Sequence, residues 1–115
     1  MLGRQGHVIQ RPTDQAIFYV PVVETESTLG YLWYAEDDKA GRFQPKRSAG
    51  SLASNASVAW NQLLRRAKAD GLTPSITINR LIEKANIKSG FGHPDISVGI
   101  KRLSRLAELK ELAGR

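Results

Sequence analysis

The chain has no cysteine, one methionine and two histidines, His7 and His93. Without thiols there is no disulfide framework, no cysteine nucleophile, no cysteine-based zinc site and no iron–sulfur cluster, and a reducing, intracellular setting fits. Long hydrophobic runs are also missing. Met1 to Gln10 includes Arg4, Gln5, His7 and two glycines, which cannot form the apolar core of a signal peptide, and no stretch reaches the ~20 apolar residues of a membrane span. A cytoplasmic protein with no membrane partner is expected. Catalytic signatures are equally scarce. Ser89, His93 and Asp95 crowd one loop and do not read as a triad. Three adjacent acids, Glu36-Asp37-Asp38, cannot all converge on a cation. Gly90-Phe91-Gly92 is followed by neither a P-loop lysine nor the third glycine of a dinucleotide fingerprint. The expectation is a non-enzyme without metal or cofactor.

What is present is a basic chain of 115 residues with a formal net charge of +6, a length suited to one domain, residues 1–115, around one core. The total hides a split. Up to Gln44 there are four basic residues against six acids, and from Pro45 onward thirteen against five. A basic surface attracts polyanions through counterion release, nucleic acid being the commonest. A quieter outcome is that acidic and basic parts face each other, within the chain or across a dimer, and cancel.

The acidic part, residues 1–45, reads as antiparallel β. Ala16 to Val23 and Leu29 to Ala35 are rich in β-branched and aromatic residues and are joined by the polar Glu24 to Thr28, which predicts a hairpin. Pro21 cannot donate to a ladder, so it calls for an edge or a bulge. Arg42-Phe43-Gln44 predicts a short third strand, and His7 to Arg11 a weak further one. Both parities of the strands are apolar, with Phe18, Val20, Leu32 and Tyr34 on one and Tyr19, Tyr31 and Trp33 on the other. One face can rest on helices. The other needs a cover, from the N-terminal arm, a second subunit or a ligand. The aromatics do not suit base stacking, because acids flank them.

The basic part, residues 46–115, reads as helices. Leu52, Ala56, Ala59, Trp60, Leu63, Leu64 and Ala67 recur at helical spacing up to Ala69, with Gly71 as a C′ stop and Leu72 as its hydrophobic partner. Thr73 as N-cap and Pro74 at the first position predict a second helix carrying Ile78, Leu81, Ile82 and Ala85. After the breaker Ser89 to Pro94, a third helix is expected from about Asp95 to Ala113, with Ile96, Ile100, Leu103, Leu106 and Ala107 on one face. Gly99 inside it would cost about 1 kcal/mol relative to alanine, so it either permits close packing or precedes the helix. Leu109 and Leu112 fall towards the basic side, which marks them as an interface with a neighbouring subunit, a homodimer included.

The segment Ala67 to Ile82 resembles a helix-turn-helix, with Ala67 four positions before the turn glycine Gly71 and Leu72 after it. Arg66 and Asp70 stand where that family is usually apolar, and Ile78 and Leu81 come one residue late. The resemblance implies that Ser75, Thr77, Asn79 and Arg80 face a major groove and that Lys84 and Lys88 meet phosphates. The competing reading is an αα-hairpin packed on a sheet. Three basic groups, Arg65, Arg66 and Lys68, then Arg80, Lys84 and Lys88, then Lys101, Arg102 and Arg105, either converge on one surface or are separate solvated faces. The sequence therefore predicts an α+β domain in two layers, a small antiparallel sheet packed against about three C-terminal helices. Functionally it predicts a non-catalytic module that binds nucleic acid through a basic helical surface. The alternative is a protein–protein interaction or accessory subunit that uses the apolar sheet face and Leu109/Leu112.

Overall fold

A computed structural model describes residues 15–25, 27–84 and 91–115. Within it the two β-branched, aromatic runs form β1 (Ile17–Glu24) and β2 (Ser27–Ala35). They pair antiparallel, Ile17 opposite Ala35 and Val22 opposite Gly30. The reversal is tighter than the five polar residues suggest, since Glu24 already pairs with Ser27 and Thr25 takes a φ of 54°. The third strand, β3 (Gly41–Pro45), pairs with β2 as expected and forms a sheet edge. The strand expected at His7 to Arg11 lies outside the described residues.

Two short strands complete the sheet. β4 (His93–Pro94) pairs with Val22 and Val23, and β5 (Lys101–Leu103) pairs with Ile17 to Tyr19. Strand β1 is thus internal, yet its proline is accommodated. Val20 and Pro21 pair with neither short strand, and the ladder with β2 slips between Val22 and Val23. A missing donor costs little in such a gap.

Helix α1 (Gly50–Ala69) buries Ala53, Ala56, Trp60, Leu64 and Ala67, an i, i+3, i+4 stripe of mostly small residues that lets it lie close to the sheet. The stripe is rotated from the expected one, for Leu52 is 61% exposed and Leu63 also faces outward. The helix ends as the sequence requires. Gly71 has a φ of 84°, its N–H donates to the Lys68 carbonyl, and the Leu72 N–H donates to the Ala67 carbonyl, both at 3.0 Å. These are the two bonds of a Schellman stop, and only glycine takes that φ without strain. Helix α2 (Pro74–Glu83) starts on the expected cap, with the Thr73 hydroxyl accepting from the Ile76 N–H and Pro74 at the first position. Ala85 lies outside the described residues.

The third helix departs from expectation. Residues Asp95 to Ser104 are not helical. They form a turn, the strand β5 and a bend, and α3 covers only Leu106–Ala113. Gly99 has a φ of 73° and so cannot sit in a right-handed helix. Ile96, assigned to the buried face of that helix, is 60% exposed. Helical periodicity over a short window here coincided with a turn and a strand.

The fold class is the expected one, a five-stranded antiparallel sheet packed against three helices, but the helices divide between its faces. On one side Val20, Val22, Leu32 and Phe43 meet Ala56, Trp60 and Leu64 of α1 and Ile78 of α2. On the other, Ile17, Tyr19, Tyr31, Trp33 and Ala35 meet Leu106, Leu109 and Ala113 of α3. The cover sought for the second apolar face is thus α3 of the same chain. Leu109, expected at an interface, is 0% exposed in that core, and Leu112 packs against it. Leu109 is thus occupied within the chain, whereas Leu112 is half-buried.

Candidate functional site

The first turn of α2 is pinned to the turn between β2 and β3. Asp38 adopts a φ of 61°, and its carboxylate accepts from the Ser75 N–H at 2.7 Å and from the Ser75 hydroxyl at 2.6 Å. A carboxylate on the free N–H groups of a helix start also complements the positive end of its dipole. Gly41 lies against Pro74 so closely that a β-carbon there would overlap the ring. The Thr77 hydroxyl, buried, donates to the Thr73 carbonyl, and the Asn79 amide donates to the Ser75 carbonyl and also bonds Tyr34. Burial raises the Tyr34 phenol above its ordinary value, an effect the Asn79 bond partly offsets.

These contacts bear on the helix-turn-helix resemblance. Of the four side chains that the resemblance turns to a major groove, Ser75, Thr77 and Asn79 are engaged in bonds inside the chain, Arg80 is exposed, and the N-terminus of α2 abuts a β-turn. The pair α1–α2 is an αα-hairpin seated on a sheet.

The basic residues sort into three places. Arg65 and Lys68 of α1 border a cleft of about 240 Å³ beside β3, together with Lys39 from the β2–β3 turn and Arg42 from the edge strand. Its floor is Ala40, Gly41, Leu64, Leu72 and Pro74, with Asn61. Asn61 also clamps α1 to β3, its Oδ1 accepting from the Phe43 N–H at 3.0 Å. Arg42 lines the cleft from the edge strand, although its ladder partner Trp33 belongs to the core on the α3 face of the sheet. A second, more open groove lies between α1 and α2. Arg66, Arg80 and Lys84 line it with Leu63, Leu72 and one acid, Asp70. Leu72 walls both hollows, which therefore flank the α1–α2 turn. Lys101, Arg102 and Arg105 do not join them. Residues Lys101 and Arg102 are in β5, across β1 and β2 from β3, about 14 Å away at the usual ~4.8 Å between strands. Arg105 caps α3. Lys88 lies outside the described residues.

Among the described residues no acid forms an ion pair with the cations of the cleft, although the Asp37 carboxylate is drawn to the Lys39 charge. The carboxylates of the neighbouring turn are met by neutral donors, Asp38 by Ser75 and Asp37 by the Lys39 N–H and the Gln15 amide. The Lys39 N–H and the Gln15 amide hold Asp37 below the ordinary carboxylate value. Among the described residues the only ion pair is Arg115–Glu111 at 3.6 Å, on the surface of α3. The charge split is therefore not cancelled by strand-to-helix ion pairs there. Lys39, Arg42 and Asn61 carry no signal of a site in the sequence. Lys39 and Arg42 sit in the acidic third, and nothing local signals that a turn and an edge strand will meet the end of a helix.

Among the described residues no three histidine, aspartate or glutamate side chains come together as a metal site, and no helix is long and apolar enough to cross a membrane. Comparison with known proteins adds no relationship: no protein family, no characterised protein and no solved structure matches this chain.

Proposed function

We propose that the protein is a nucleic-acid-binding module that holds the phosphate backbone with the cations around the α1–α2 turn. One observation carries this reading. Seven cations from four separate elements border the two adjoining hollows, against a single carboxylate, Asp70. Helix-dipole complementarity accounts for Arg66 and Lys68 in the last turn of α1. It does not account for Arg42, which arrives from a strand, while Lys39, from a turn, has the Asp37 carboxylate beside it. Like charges gathered this way repel one another, a cost that a bound polyanion removes. Of the surfaces named for the accessory-subunit alternative, the second sheet face and Leu109 are covered within the chain.

The test is a salt titration of binding to random-sequence duplex DNA. Each engaged phosphate contributes about 0.9 to the slope of log affinity against log salt. Replacing Arg65 and Lys68 together by glutamine should weaken binding and reduce that slope by about 1.8. Absence of binding by the intact chain at low salt would refute the reading.

A further inference from the structure

The two hollows flanking the α1–α2 turn differ in a way that bears on what is bound. A surface that only meets phosphates needs cations on a convex or flat face. The cleft beside β3 instead has an apolar floor, Leu64, Leu72, Pro74 and Ala40, beneath a cationic border. Its volume of about 240 Å³ lies below the roughly 300–1,000 Å³ typical of pockets for drug-sized ligands. It has room for one planar group, not for a whole oligonucleotide.

From this we infer that the cleft receives a single unpaired nucleotide unit. The base lies on Leu64, Leu72 and Pro74, and its phosphate is held by Lys39, Arg65 and Lys68. The inference rests on the nucleic-acid reading for its biological ligand. Three features favour an anion with an apolar body over a bare phosphate or an uncharged apolar group. The apolar floor would be wasted on an inorganic anion, which gains nothing from apolar contact. The cations exclude a hydrocarbon, whose entry would strip water from them without replacing it. Base faces pack on apolar and guanidinium surfaces irrespective of sequence, and the cleft supplies both. The sheet aromatics offer no competing platform, because Tyr19, Tyr31 and Trp33 are buried under α3 and the Phe18 ring stacks on Tyr34 at 5.3 Å between centroids. From the cleft a strand can continue over Leu72 into the groove of Arg66, Arg80 and Lys84, where the next phosphates would find their partners.

The experiment is a set of amide NMR titrations of the full chain with adenosine monophosphate, ribose 5-phosphate and inorganic phosphate. In parallel, binding is compared for a blunt duplex and the same duplex carrying a short single-stranded overhang. The mononucleotide should shift the amides of Ala40, Gly41, Leu64 and Leu72, whereas inorganic phosphate should move only the rim. The overhang should bind more tightly than the blunt end, and Leu72→Trp, which fills the hollow and leaves its cations, should abolish that preference. Equal affinity for both duplexes together with unmoved floor amides would overturn the inference while leaving backbone binding intact. Floor shifts with the mononucleotide but no affinity for either duplex would retain the nucleotide site and overturn the nucleic-acid reading, making a free nucleotide the ligand. Inorganic phosphate moving the floor as the mononucleotide does would also overturn the inference, as it would make the site a plain anion hollow.

Discussion

Two adjacent aspartates in one turn have different tasks. Asp38 joins the β2–β3 turn to the start of α2 through two bonds to Ser75. Its loss leaves a half-buried helix N-terminus without that acceptor, so Asp38→Ala should destabilise the fold by about 1–3 kcal/mol, measured by urea denaturation. Asp37 is exposed and acts through its charge on the Lys39 N–H and the Gln15 amide. Its folded pKa is lowered from 3.8, so its contribution is fully present above that ordinary value and is lost as pH falls through the folded value. Wild type should therefore exceed Asp37→Asn in stability at neutral pH, with the gap closing on acidification. A constant gap across the pH series would show that the carboxylate charge is not what stabilises the turn.

At the scale of elements, the segment from Asp95 to Ala113 separates local pattern from tertiary outcome. If Gly99 lay in a helix, alanine there would stabilise by about 1 kcal/mol. At a φ of 73°, Gly99→Ala should instead destabilise by ~1 kcal/mol, and thermal melting reads the sign. Helix α3 is short, with eight residues, so its stability comes from packing and not from propensity. Leu109→Ala, in the core beneath α3, should cost about 2–5 kcal/mol. Leu52→Ala, on the outer face of α1, should stay within about 0.5 kcal/mol of wild type. The helical wheel makes the opposite assignment for both leucines.

At the scale of the molecule, the charge is divided by position and not merely by sequence. The cations near the α1–α2 turn share two adjoining hollows, while Lys101 and Arg102 stand at the far edge of the sheet from β3. Lys101→Gln with Arg102→Gln and Arg65→Gln with Lys68→Gln remove the same formal charge. Only the second pair should lower nucleic-acid affinity and its salt slope appreciably, as fluorescence anisotropy at several salt concentrations would show. Equal losses would mean that the chain binds through net charge alone, with no located site.

The sequence by itself determined the α+β class, the β1–β2 hairpin, and both ends of the α1–α2 turn. Each of these rests on local chemistry: β-branched and aromatic runs around a polar loop, a glycine able to take a positive φ after Ala69, and a threonine–proline start at Thr73. Only the tertiary structure decided the rest. Which sheet face α3 covers depends on β5 first joining β1, a pairing between residues more than eighty positions apart that no periodicity encodes. The same holds for the cleft. Its cations come from a turn, an edge strand and a helix, and they share a surface because Asn61 and Asp38 tie those elements together. The acidic and basic halves with which the sequence began meet in space as a sheet packed against helices, and the basic cleft draws on both.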